Sequence, residues 1–126
     1  MNHIIIFYGS NIDPEDNVRK ALDLIKKDHS FIKESEPIMT KALNRPNHAD
    51  YLNGAWLVAS SLVYDDFKTY LKEIEKKLGR TSQLDKFAPR TIDLDIIVFN
   101  GKIIHNDYHE RDFVRKCVLE IVPDLK

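Results

Sequence analysis

Cysteine is nearly absent from this chain. Cys117 stands alone among 126 residues, so no intramolecular disulfide can form, and a disulfide-stapled secreted scaffold is excluded. A reducing, cytoplasmic setting is the expectation. No apolar run approaches the roughly eighteen residues of a membrane span. Met1 to Tyr8 has no basic n-region and too short an apolar run for a signal peptide. An excess of one charge is also missing: 19 Lys and Arg face 20 Asp and Glu, a net charge of −1, which argues against a general nucleic-acid surface but leaves local phosphate sites open. Clusters of Pro, Gly or Ser, internal repeats and low-complexity runs are lacking too, so neither a linker nor disorder is expected.

What remains is 43% apolar and 31% charged, the composition of a globular protein. The length fits a single domain over 1–126 with a real core and is too short for two ordinary ones. His3 to Tyr8 reads as a buried strand ended by Gly9-Ser10-Asn11. Asp13-Pro14 then offers an N-cap with proline at the first helical position. Val18, Ala21, Leu22 and Ile25 form one stripe of a helix from about Pro14 to Lys27. Phe31 to Lys41 looks like a strand weakened by Glu34 to Pro37, hence an edge strand or a bulged one. A polar loop from Ala42 to Asp50 leads to a strand over Tyr51 to Leu62, with Leu52, Trp56 and Val58 on one face and Tyr51, Asn53, Ala55 and Leu57 on the other. Asp65 and Asp66 open a helix carrying Phe67, Tyr70, Leu71, Ile74 and Leu78, which Gly79 stops. After a loop and a further strand, Asn100-Gly101 makes a turn, and Phe113 to Val122 has helical spacing.

That further strand, Thr91 to Phe99, carries the chemistry. Alternation puts Ile92, Leu94, Ile96 and Val98 in one row and Asp93, Asp95, Ile97 and Phe99 in the other. Two carboxylates about 7 Å apart on one face can bracket hard cations, of which magnesium with a nucleotide is the natural candidate. Arg90 sits at the loop-to-strand junction beside them. The order strand, helix, strand, strand, helix, strand gives an α+β class: a ferredoxin-like βαββαβ antiparallel sheet with helices on one face and a short extra C-terminal helix. The other face, with Asp93 and Asp95, is left for ligands.

Gly9-Ser10-Asn11, Tyr51-Leu52-Asn53, Glu75 with Leu78-Gly79-Arg80, and Ala88 to Ile96 occur in an order and spacing that resembles the hydroxymethyldihydropterin pyrophosphokinases of folate biosynthesis. The resemblance covers nearly the whole chain. It implies transfer of diphosphate from ATP to 6-hydroxymethyl-7,8-dihydropterin, with release of AMP and two magnesium ions. It also implies Asp93 and Asp95 as metal ligands, and Arg80 and Arg90, with Asp95, as catalytic residues handling phosphate. Glu75, Lys86, His105 and Arg111 match nucleotide-side positions, and Thr40, Leu43, Tyr51, Asn53 and Phe113 match the pterin pocket. The implied partners are these small molecules, with no nucleic acid and no membrane, and a monomer is expected.

The chain departs from that pattern after Phe99. The connection to His105 is much shorter than is usual there, Ile104 stands where proline is expected, and an arginine and a threonine directed at the nucleotide have no counterpart. Ser82 and Phe87 replace a basic residue and a tryptophan. Two alternatives follow: a catalytically weak homologue that binds pterin or nucleotide, and a ferredoxin-like binding module for RNA or protein. Carboxylates on the open face argue against the RNA module, which would need aromatics there.

Overall fold

The computed structural model describes residues 1–41, 49–79 and 91–125. In chain order these form β1 (Asn2–Ser10), α1 (Pro14–Asp28), β2 (Ser30–Glu34), β3 (Ile38–Thr40), β4 (Tyr51–Ser60), α2 (Tyr64–Lys77), β5 (Asp93–Phe99), β6 (Lys102–Ile103), α3 (Asp107–Glu110) and α4 (Asp112–Ile121). The unbroken apolar run Ile4 to Tyr8 needs partners at both edges and cover on both faces. It has them: β1 lies between β4 and β5 in a sheet ordered β2-β4-β1-β5-β6, with every pairing antiparallel.

The expected second strand is divided. β2 and β3 both pair with β4, at Trp56 to Ala59 and at Tyr51 to Asn53 respectively, so they act as one edge strand interrupted at Ser35 to Pro37. Ser35 bridges the interruption, donating its N–H to the Ala55 carbonyl at 2.9 Å and accepting the Ala55 N–H on its hydroxyl at 2.9 Å.

One face of the sheet carries α1 and α2. Ile4, Ile6, Trp56, Val58, Ile92, Leu94 and Ile96 pack there against Ala21 and Ile25 of α1 and Phe67, Leu71 and Ile74 of α2. Each helix presents an apolar stripe, with acidic residues in its first turn and lysines in its last, which suits the helix dipole. Asp13 does not cap α1 as expected. Its backbone is left-handed at φ 40° and its side chain makes no capping hydrogen bond; only its carbonyl engages, accepting the Asn17 N–H at 3.0 Å.

The opposite face is closed over part of its area by the C-terminal segment. Val114, Cys117, Val118 and Ile121 of α4, with Tyr108 of α3, cover Ile5, Phe7, Ala55, Ile97 and Val98. Val98 was expected under α1 and α2 and lies here instead. The β1–β5 register slips between Ile5, which faces Val98, and Ile6, which faces Ile96. This bulge leaves Ile97 without a partner on β1 and reverses the facing of the residues after it, so Phe99 joins the α1–α2 cluster. The turn to β6 has the two-residue Asn-Gly form, with φ 50° at Asn100 and 80° at Gly101, the geometry that matches strand twist in a tight hairpin. None of the described helices is long and apolar enough to cross a membrane.

Candidate active site

Beyond the cover of α4, the second face is polar, and its side chains arrive in cross-strand rows. Ile38, Asn53, Gly9 and Asp93 form one row across β3, β4, β1 and β5. Ala55, Phe7 and Asp95 form the next. Asn53 and the two carboxylates therefore share one face, as the alternation predicted.

Asn53 is 4% exposed and firmly oriented. Its Nδ2 donates to the Thr40 hydroxyl at 2.8 Å, to the Tyr51 carbonyl at 3.2 Å and to the Ile38 carbonyl at 3.3 Å. With its amide N–H groups so used, its oxygen is an acceptor, while the Thr40 hydroxyl keeps a proton to donate. Gly9, expected in a turn, lies inside β1 directly under this amide: a Cβ there would stand 3.1 Å from Asn53 Oδ1 and 3.5 Å from a Tyr51 ring carbon. Phe113, at the start of α4, meets Phe7 with ring centroids 5.8 Å apart. Phe7 links it to the row holding Ala55 and Asp95.

Asp95 is the electrostatic centre. Burial first, and then the carboxylates of Asp93, Glu75 and Asp107, push its carboxyl up to about 7, with Lys72 opposing. The short β5–β6 hairpin returns the chain so that one ligand atom from each of Asp95, His105 and Asp107 falls within 4.8 Å of the others. Asp107 also pairs with Arg111 Nε at 3.3 Å. Oxygen donors with a negative potential strong enough to raise a carboxyl in this way fit a hard divalent cation such as magnesium.

Glu75 is 3% exposed, and its Oε2 accepts the Leu94 N–H at 2.8 Å. It meets the edge of β5 at Leu94, where none of the described strands other than β1 pairs, and its charge reaches Asp95 from that position. Ser10 and Asn11 tie down the approaches to the site. The Ser10 hydroxyl donates to the Thr91 and Ile12 carbonyls, and Asn11 Nδ2 donates to the Ala49 carbonyl at 3.3 Å. Leu43, Arg80, Lys86 and Arg90, which the sequence also points to, lie outside the described residues. Thr40, Tyr51, Asn53, Asp93, Asp95, His105, Arg111 and Phe113 come together on this face. Phe7 and Asp107 join them without having been singled out, and Gly9 joins them from inside β1 and not from a turn.

Residues 5–123 match the family model described as 7,8-dihydro-6-hydroxymethylpterin-pyrophosphokinase. The chain belongs to this family. A relative from Aquifex aeolicus, named 2-amino-4-hydroxy-6-hydroxymethyldihydropteridine pyrophosphokinase, is 30% identical over 99% of this chain and 83% of its own length. A Bacillus subtilis protein of the same name is 34% identical over 99% of this chain and 79% of its own. An Arabidopsis thaliana folate synthesis bifunctional protein is 32% identical over 97% of this chain, which corresponds to 26% of that longer protein.

Proposed function

We propose that this member of the pyrophosphokinase family transfers diphosphate from MgATP to the hydroxymethyl oxygen of 6-hydroxymethyl-7,8-dihydropterin. The oxygen–phosphorus bond to the β-phosphorus forms, the bond between the α,β-bridging oxygen and that phosphorus breaks, the hydroxyl proton is released, and AMP leaves. The observation that carries the reading is the placement of an oriented amide and an aromatic beside two carboxylates on one sheet face.

Asn53 and Thr40 present an acceptor and a donor side by side, which suits the alternating donors and acceptors on a pterin edge. Phe113, with Phe7 behind it, offers a ring to stack on the bicycle, and Tyr51 and Leu43 complete that pocket in this reading. Asp93 and Asp95 hold magnesium, two ions in this proposal. The bound metal supplies charge neutralisation of the triphosphate and polarisation of its oxygens. Arg111 and His105 attend the nucleotide, Glu75 supports that side from the β5 edge, and Arg80, Arg90 and Lys86 handle phosphate. Holding both substrates on one rigid sheet face makes the displacement effectively intramolecular. We further place the reaction in the cytoplasm and assign it to a monomer; the free thiol of Cys117 is consistent with a reducing compartment.

Incubating the chain with ATP, magnesium and the hydroxymethyldihydropterin should yield AMP in step with pterin diphosphate, and chelating the magnesium should stop it. Pterin and nucleotide binding without AMP would sink the catalytic reading and leave a binding homologue.

A further inference from the structure

We infer that Asp107 is a positioning residue for the nucleotide, acting through Arg111. This inference rests on the proposed reading of the site. Asp107 opens the short helix α3, and Arg111 stands one turn later at the junction with α4. Asp107 grips Arg111 twice. Its carbonyl accepts the Arg111 backbone N–H at 2.9 Å, and its carboxylate pairs with Nε at 3.3 Å. A guanidinium has five N–H donors, and this pair takes only the one on Nε. Among the described residues, Nη1 and Nη2 of Arg111 have no hydrogen-bond partner, so the outer edge of the fork, which matches two phosphate oxygens, remains available.

The neighbouring arginine shows what full commitment looks like. Arg115 spends Nη1 on the Tyr108 and His109 carbonyls and Nη2 on Asp112, so it ties α3 to α4. The same Asp107 also orients His105. Its backbone N–H donates to Nδ1 at 3.1 Å, and in the neutral ring this puts the proton on Nε2, making that atom a donor. One residue thus sets two donors, and its own carboxylate lies close to that of Asp95. Side-chain exposures of 28% for Asp107 and 35% for Arg111 leave both within reach of a ligand.

Titration calorimetry with a non-hydrolysable MgATP analogue and, separately, with the pterin tests this in Asp107→Ala, Asp107→Glu, Arg111→Ala and the Asp107→Ala/Arg111→Ala double variant. Asp107→Ala should weaken the analogue about tenfold and the pterin less than about twofold, with Asp107→Glu recovering most of the loss. On the Arg111→Ala background, Asp107→Ala should add less than about a twofold loss, because its route is already gone. Losses that simply add would overturn the inference, as would equal weakening of both ligands with a lower melting temperature, the mark of a merely structural role. A shift in magnesium dependence in place of nucleotide affinity would also overturn it, since Asp107 would then act on the cation. If the unaltered chain binds no analogue, the reading of the whole site falls and this role with it. If it binds normally and Asp107→Ala matches it, this inference alone falls.

Discussion

The two faces of the sheet are made by the same strands and obey different rules. Against α1 and α2, β1, β4 and β5 offer an almost wholly apolar surface, and packing is all that is asked of it. On the reverse face the same strands bury Asn53 and hold Asp93 and Asp95 beside the apolar patch that α4 covers. There Asn53 is tolerated because it is hydrogen-bonded, which fixes its orientation, whereas the Asp95 charge is held against burial and neighbouring carboxylates. Stability and chemistry are thereby separated by residue parity. A substitution on one face should read out mainly as melting temperature, and one on the other mainly as turnover or affinity.

The largest effect should come from the first face. Leu71 is 1% exposed between α2 and the sheet, and Leu71→Ala should cost about 2–5 kcal/mol through lost burial and the cavity left behind. Chemical denaturation would measure it, with the ligand affinities of the remaining folded protein near normal. A drop in pterin affinity at full stability would break the division of labour between the faces.

Asp95→Asn should do the reverse, lowering turnover at least about a hundredfold by removing charge stabilisation at the metal. Its effect on stability has a definite sign. The folded carboxyl titrates near 7 against an ordinary 3.8, so its contribution to stability is whole below about pH 4 and is lost as pH rises through about 7. Asp95→Asn should therefore melt higher than the unaltered chain at about pH 8, and the difference should shrink towards about pH 4. A variant that melts lower at the higher pH would mean the carboxylate is held by contacts that outweigh its burial.

These contrasts were legible in the sequence to different degrees. Helical and alternating periodicities gave both long helices and the carboxylate pair, because residues such as Phe67, Leu71 and Ile74 or Asp93 and Asp95 carry their facing in local spacing alone. The bulge at Ile97 was not legible. Ile96, Ile97 and Val98 are all apolar and fit either facing, and the register is decided by β1, far away in sequence. Asp107 escaped for the same kind of reason, since only the return of the chain through β6 brings it to Asp95. Gly9 was misread because a glycine before Ser-Asn signals a turn, whereas its use here is to leave room for a side chain from β4.

Gly9 therefore offers a finer test of the second face. An alanine methyl at this position would lie 3.1 Å from Asn53 Oδ1, so the amide must yield by a few tenths of an ångström. Three hydrogen bonds from Nδ2 resist that movement. Gly9→Ala should weaken pterin binding by roughly five- to tenfold, equivalent to about one hydrogen bond, with little change in nucleotide affinity. Equal loss of both ligands would show that the strain spreads along β1 to Asp93 and Asp95.

The smallest effect lies at His29, which gives the α1–α2 side its own titrating group and the opposite pH sense to Asp95. Its ring stands edge-on to Phe67 at 5.2 Å and to Tyr70 at 4.6 Å, and Nε2 is buried with no hydrogen-bond partner among the described residues. Burial pushes its pKa below the ordinary 6.5, with Asp28 pulling partly the other way. The neutral ring is thus the one the folded chain accepts. Its contribution is whole above about pH 6.5 and is lost as pH falls through the lower folded value, because the unfolded chain takes up the proton first. His29→Phe should melt close to the unaltered chain at about pH 8 and above it at about pH 5, where the imidazole would otherwise have to be charged against two aromatic rings. Combined with Asp95→Asn, it should flatten the pH dependence of the melting temperature from both ends. If His29→Phe leaves the acid side unchanged, Asp28 already compensates the protonated ring, and the apolar face carries no pH sensitivity of its own.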